Sequence, residues 1–200
     1  SRAYEDPTSF FLGWALLLDV ALGSFVFIVI SAGATSTELP YLGNSIISRG
    51  ITPIQYVLSK FVSRTLVVLT VFLVVAVPVS ILMVSQGKAN DLDYAGISLA
   101  LSYITLLLAF LVVLGVTFST IFNNTMASVV ILEIIWYISF GVALLAQGTS
   151  FTRDGVLGLL PAVLQGVYNW GDSWPFMLVL VVPIVGLPIL GLRFFQQRDL

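Results

Sequence analysis

The chain of 200 residues contains no histidine and no cysteine, and few of its residues carry a charge. Without these two residue types it cannot form a disulfide, a Cys/His zinc site, a histidine-ligated haem or a histidine-dependent serine protease site. Charged residues make up 9% and hydrophobic residues 58% of the chain, whereas a soluble domain is roughly 25% charged. These proportions predict an integral membrane protein, with the lipid bilayer as a partner and neither nucleic acid nor a metal ion expected.

Several apolar stretches approach or exceed the roughly 20 residues that a helix needs to cross the hydrocarbon. No charged side chain occurs between residues 94 and 132, and no stretch alternates like a barrel strand. We therefore predict a single all-α transmembrane domain over 1–200, a polytopic helical bundle, because helices satisfy their own backbone hydrogen bonds in lipid. The predicted spans are 10–33, 61–85, 94–118, 125–145 and 174–192.

The 34–55 loop between the first two predicted spans is polar, yet it keeps four apolar residues at near-helical spacing. This spacing predicts a short amphipathic helix. Thr52, Pro53 and Gln55 then match the start of a helix, with Thr52 as N-cap, proline at the first helical position and Gln55 three residues after the cap. The four apolar residues are Leu39, Leu42, Ile46 and Ile47.

The 147–173 region before the last predicted span contains two short apolar pieces, Val156 to Leu160 and Ala162 to Tyr168, which Pro161 separates. Each piece is too short to cross a bilayer. We predict that they form two short re-entrant or interfacial helices on the external side.

Basic residues are divided unequally between the two sides of the predicted bundle. The positive-inside rule places the 34–55 loop and the C-terminus in the cytoplasm of a multi-pass plasma-membrane protein. Ser1 is then outside, without an initiator methionine or a signal sequence, so we expect an earlier spanning segment and six spans in the native protein. The cytoplasmic basic residues are Arg49, Lys60, Arg64, Arg193 and Arg198, against Arg2, Lys88 and Arg153 outside.

The stretch from Ser36 to Arg64, STELPYLGNSIISRGITPIQYVLSKFVSR, resembles the membrane subunits of ABC exporters of the type-2 permease family. Gly50 and Ser59 stand where that family commonly has Pro and Gly. The chain's ending, Phe194 to Leu200 with the sequence FFQQRDL, is also similar to the family's ending. The matching residues in the first stretch are Glu38, Ile46 to Arg49, Ile51, Thr52, Gln55, Ser59 and Lys60.

The resemblance implies a membrane subunit that forms a translocation pathway with a second membrane subunit, identical or different. ATP and Mg would be bound by a separate ABC ATPase subunit, so this chain would hold no cofactor and would not itself be an enzyme. A helix that only lies on lipid is the alternative for the loop, but such a helix needs a strongly basic face, and this loop has one arginine. The expected ATPase-contact residues are Glu38, Leu39, Tyr41, Leu42, Ile46 and Arg49.

Asp19 and Glu133 lie near the middle of predicted spans, where an ionised carboxylate costs on the order of 2.5 to 3.5 kcal/mol. Asp19 shares a face with Ala15 and Gly23, which predicts a close helix contact. Tyr137 follows Glu133 by one turn and is placed to donate a hydrogen bond to it.

Two interpretations of these intramembrane acids stay open. They line a substrate path or carry a proton, or they are neutral carboxyl groups that neighbouring hydroxyls satisfy. The alternatives to an ABC subunit are accordingly a proton-coupled secondary transporter that works through both acids, or a non-transporting membrane scaffold.

The orientation can be tested by single-cysteine labelling, because no native cysteine interferes. In intact cells an impermeant thiol reagent should modify Lys88→Cys, since that position is predicted to be external. Asn44→Cys should react only after the membrane is permeabilised. The opposite pattern, with Asn44→Cys modified and Lys88→Cys protected, would reverse the orientation.

Overall fold

The computed structural model describes residues 8–36, 52–85, 92–122, 124–146, 156–167 and 170–196. No strand occurs in these ranges, so the all-α prediction is confirmed for this part of the chain. The helices are α1 (Thr8–Ser36), α2 (Pro53–Ser85), α3 (Tyr94–Ile121), α4 (Thr125–Ala146), α5 (Val156–Leu164) and α6 (Trp170–Gln196).

Four of the described helices are long and apolar enough to cross a bilayer, in agreement with an integral membrane protein. The qualifying segments are Thr8–Gly33, Ile54–Ser85, Tyr94–Ile121 and Met177–Phe194. In α4 the described apolar stretch, Thr125–Ser139, is shorter. The helices begin and end within a few residues of the predicted spans, except that α2 begins eight residues before 61.

The early start of α2 comes from the predicted capping residues. The backbone N–H of Thr52 donates to Gln55 Oε1 at 3.1 Å, and the backbone N–H of Gln55 donates to Thr52 Oγ1 at 3.3 Å. This reciprocal pair satisfies donors that a helix N-terminus otherwise leaves free. Because α2 has 33 residues, it is about 50 Å long and extends beyond a hydrocarbon layer of about 30 Å.

Helix α3 lies at the centre of the bundle and packs against each of the other five described helices. It has no charged side chain and carries buried residues on all its sides. A helix that is apolar all round is suited to such a central place. The fully buried side chains of α3 include Leu99, Leu108, Leu111 and Val112.

Pro161 does not divide the described part of the 147–173 region into two helices, so that prediction is wrong. Helix α5 runs through it, from Val156 to Leu164. A proline inside a helix removes one backbone donor and crowds the preceding turn. Here the proline ring packs on α1: a Cβ on Gly13 would lie 3.3 Å from Pro161 Cγ. The helix ends at Leu164, and Gly166, whose φ is +73°, turns the chain two residues later. Tyr168 lies outside the described residues.

The C-terminal turn of α5 is held against the first turn of α3. The backbone N–H of Asp93 donates to the Leu164 carbonyl at 2.9 Å, and the Asp93 carboxylate accepts the Gly96 N–H at 3.1 Å as the N-cap of α3. A Cβ on Gly96 would overlap the Val163 carbonyl oxygen and lie 2.8 Å from that of Leu164. Only glycine lets the two backbones approach this closely.

Replacing Gly96 should therefore loosen α5. We expect Gly96→Ala to lower the thermal midpoint of the purified protein, with a destabilisation of about 1 to 3 kcal/mol, because backbone must shift to admit the methyl group. Gly186→Ala in α6 is the matched control, since nothing lies within 4 Å of the added Cβ. The control should be neutral or stabilising, as alanine is favoured over glycine in helices. Equal midpoints for the two variants would contradict the close contact.

Candidate functional site

The structure separates the predicted functional residues into two groups. The expected ATPase contacts, Glu38, Leu39, Tyr41, Leu42, Ile46 and Arg49, lie outside the described residues. Both intramembrane acids are described, Asp19 on α1 and Glu133 on α4. The candidate site is the α1–α4 seam, which we define as Ala21, Ser24 and Phe25 of α1 together with Glu133 and Tyr137 of α4.

Two contacts establish the register of the α1–α4 seam. The Tyr137 hydroxyl donates to the Ala21 carbonyl at 3.2 Å. Toward the other end, Thr125 Cγ2 lies 4.0 Å from where a Cβ on Gly33 would be. Both contacts give the same antiparallel register, which places Glu133 level with Phe25. Glu133 is about 12 Å along the helix from Thr125, well inside a hydrocarbon layer of about 30 Å.

The carboxyl group of Glu133 has no hydrogen-bonding partner among the described residues, although both of its oxygens are buried. The predicted bond from Tyr137 is wrong. The long tyrosine side chain reaches past its own helix and donates to Ala21, whose carbonyl also accepts the Ser24 hydroxyl at 2.9 Å. The spacing of Tyr137 and Glu133 places them on one helix face, but spacing alone does not reveal a competing acceptor on another helix.

Asp19 is in a different environment. It is half-buried, and none of the hydrogen bonds found among the described residues involves it. The predicted close helix contact at Ala15 and Gly23 is wrong for the helices described here: Ala15 is exposed. The atoms nearest to a Cβ on Gly23 would be those of the Phe27 ring of α1 itself, the first at 3.0 Å. The small residues beside Asp19 therefore do not turn it into the bundle.

The two acids do not form one site. Asp19 and Ala21 are about 200° apart around the axis of α1, so Asp19 points away from the side that meets Tyr137. Along the axis, Asp19 is about 9 Å from the level of Glu133. In the described part of the chain no hydrogen-bonded chain connects them, and a direct proton relay between them has no support from this geometry.

The N-terminal section of α2, just after the predicted coupling loop, is fixed to the bundle. Val57 and Phe61 are buried there. A Cβ on Gly191 of α6 would lie 3.4 Å from Phe61 Cζ and 3.2 Å from Thr120 Oγ1 of α3. Beside them on α2, Lys60 Nζ lies 5.2 Å from the centre of the Tyr56 ring, a distance typical of a cation–π contact. The first turns of α2 are thus joined to α3 and α6.

Within the described ranges, the two intramembrane acids are isolated carboxyl groups in an apolar bundle that also carries a few hydroxyls. No group of three potential metal-binding side chains is found there. Comparison with protein-family models, curated proteins and solved structures finds no match to this chain. Function must therefore be inferred from the residues themselves.

The environment of Asp19 leads to a stability prediction. A partly exposed carboxyl without a partner costs free energy in lipid, so Asp19→Leu should assemble and be more stable than the parent protein, by up to about 3 kcal/mol. The stability of Asp19→Asn should lie between that of Asp19→Leu and that of the parent protein. The thermal midpoint in lipid nanodiscs measures the order.

Ser24→Leu is the matched control, because this buried serine donates to Ala21 and the substituted side chain should destabilise the seam. A lower midpoint for Asp19→Leu than for Asp19→Asn would show that Asp19 has a polar partner in the assembled protein.

Proposed function

We propose that this chain is the membrane-spanning subunit of an ATP-driven ABC transporter of the type-2 permease family, working as an exporter in the plasma membrane. Five spans of this chain and a second membrane subunit form the pathway, and a separate ATPase subunit binds ATP and Mg. The observation that carries the proposal is the pattern from Ser36 to Arg64. Four helices able to span a bilayer agree with it.

The described end of that pattern also supports the proposal. A coupling element must pass force from a soluble ATPase to the membrane helices, so the segment that leaves it has to be rigid. Helix α2 begins with a capping box directly after the loop. Two turns on, Phe61 is buried near Gly191 and Thr120. A movement of the loop would therefore reach α6 and α3 through packed side chains.

In the proposed cycle the 38–49 helix inserts into a cleft of the ATPase. Closure of the ATPase pair on ATP tilts this helix, and α1 and α2, which enter and leave the loop, tilt with it. Access to the pathway then changes from one side to the other. Packed helices move as stiff bodies, and small shifts at one end become larger shifts at the other.

A proton-coupled secondary transporter receives less support, because Asp19 and Glu133 lie on different faces and levels. A membrane scaffold without transport activity stays an alternative. The experiment that separates these functions is affinity purification of the chain from its native membrane. An ABC ATPase should co-purify, and its ATP hydrolysis should respond to the lipid-embedded subunit. A preparation that contains no ATPase would contradict the proposal.

The predicted coupling helix gives a sharper test. Leu42 and Ile46 belong to its apolar stripe, and burying them in an ATPase groove contributes roughly 1.5 to 3 kcal/mol each before ordering costs. The double variant Leu42→Asp with Ile46→Asp should release the ATPase or leave it bound but uncoupled. Arg49→Glu should weaken coupling more mildly. The measurements are ATPase co-purification and substrate-stimulated ATP hydrolysis in lipid.

A matched control adds the same two charges to the opposite face of the predicted helix, as Asn44→Asp with Ser48→Asp. It should keep the ATPase, because those positions lie roughly 160° from the apolar pair around an ideal helix. Equal ATPase binding and stimulation by the two double variants would remove this helix from the mechanism.

A further inference from the structure

The carboxyl group of Glu133 is buried within the predicted hydrocarbon layer, and neither oxygen receives a hydrogen bond from any described residue. Burying a polar group without a partner costs several kcal/mol in an apolar medium. Intramembrane carboxyl groups accordingly mark functional positions more often than structural ones. The question is which group satisfies Glu133.

The nearby hydroxyl groups of this chain do not donate to Glu133. Tyr137 and Ser24 both donate to the Ala21 carbonyl, and Ser128, five residues before Glu133 on α4, donates to backbone carbonyls at 3.2 Å and 3.4 Å. A hydroxyl has one hydrogen to donate. Each of these three is therefore already used.

The basic residues on the described helices of this chain lie toward one end of the bundle and donate no hydrogen bond to Glu133. Lys60 and Arg64 flank Phe61, which lies level with Gly191 and Thr120 near the end of α3. Arg193 is in the last turn of α6. Lys60 and Arg193 belong to the end of the bundle where α4 begins, about 12 Å from the level of Glu133, and Arg64 lies about 5 Å nearer to that level along α2.

The exposed surface around Glu133 consists of apolar side chains. On α4 its neighbours are Val130 and Ile134, and on α1 the residues at the same level are Leu22, Phe25 and Val26, each about half exposed or more. Glu133 itself is at the border of this surface, with its stem partly exposed and its carboxyl oxygens turned inward. A molecule that reaches the carboxyl group must therefore be mostly apolar and must end in a hydrogen-bond donor.

We propose that Glu133 binds the protonated nitrogen of a transported apolar amine, whose hydrocarbon body lies along Val130, Ile134 and Phe25. The two carboxyl oxygens accept N–H groups of the ammonium, and the paired charges satisfy one another in the membrane. This assignment rests on the proposed transport function and names its substrate class. Asp19, on another face of α1, takes no part.

The test measures binding of two probes to the purified transporter in lipid nanodiscs. The first probe is N-dansyl-1,8-diaminooctane, a fluorescent apolar amine, and the second is its N-acetylated, neutral counterpart. Empty nanodiscs correct for partition into lipid. The parent protein should bind the amine roughly tenfold more tightly than the neutral probe or better, which is a modest value for a charge-assisted pair.

Replacing Glu133 should remove the preference for the amine over the neutral probe, while the apolar part of each probe still binds. Glu133→Gln should bind the two probes within about twofold of each other, because an amide keeps the shape of the side chain and loses its charge. Asp19→Asn is the matched control and should keep the preference for the amine. Equal binding of both probes by the parent protein, or an unchanged preference in Glu133→Gln, would overturn the assignment.

A second measurement needs no variant. The apolar reagent dicyclohexylcarbodiimide modifies carboxyl groups within membranes, and mass spectrometry locates the adduct. The amine should protect Glu133 from modification, and the acetylated probe should not. Equal modification with either probe would contradict the proposal even if Glu133→Gln fails to assemble.

These outcomes are independent of the ATPase. Probe binding and protection require no nucleotide, whereas co-purification of an ATPase tests the proposed transport function. A preparation that prefers the amine but contains no ATPase would keep Glu133 as an amine site and remove the ABC assignment. A preparation that contains an active ATPase but does not prefer the amine would keep the ABC assignment and remove the amine site.

Discussion

Close approach of helices to α3 is the constraint on which the rest of the bundle depends. In lipid the hydrophobic effect does not drive helices together, because the hydrocarbon tails are as apolar as the side chains. Association then relies on packing at short range and on polar contacts. Gly96 leaves room for the carbonyl groups of α5. Gly115 leaves room for α1, because a Cβ on Gly115 would lie 2.5 Å from the Cβ of Ser31. Gly191 of α6 similarly brings that helix against Thr120.

Much of this architecture could be predicted from the sequence, because hydropathy and capping are local properties. The absence of charge between residues 94 and 132 indicates α3 and the first part of α4, and the Thr52–Gln55 capping box indicates the start of α2. Which side of each helix packs against the rest of the bundle could not be predicted. A helix that is apolar on every side carries no amphipathic signal, so the central place of α3 depends on small residues whose partners lie far away in sequence.

The two intramembrane acids were predictable from the sequence, but their environments and the α1 residues of the seam were not. Asp19 and Glu133 produce the same signal, an acid inside an apolar stretch, yet one is half-exposed and the other has a buried carboxyl group. The difference arises because Tyr137 ties α4 to Ala21 across the seam. Similarly, Pro161 predicts a break, but a proline ring that packs on Gly13 leaves α5 continuous. In both cases a contact between distant helices overrides a local rule.

The α1–α4 seam connects the two proposals. Helix α1 leads directly into the 34–55 loop, so in the proposed cycle a tilt of that loop acts on α1 before it acts on α4. The hydrogen bond from Tyr137 to Ala21 and the burial of the Glu133 oxygens both depend on how α1 and α4 meet. A tilt that separates the helices would admit water and other donors to Glu133 and weaken an ion pair formed there, since charges attract less strongly at high dielectric constant. Closure of a distant ATPase could thus release a bound ammonium group without any residue of the ATPase touching it.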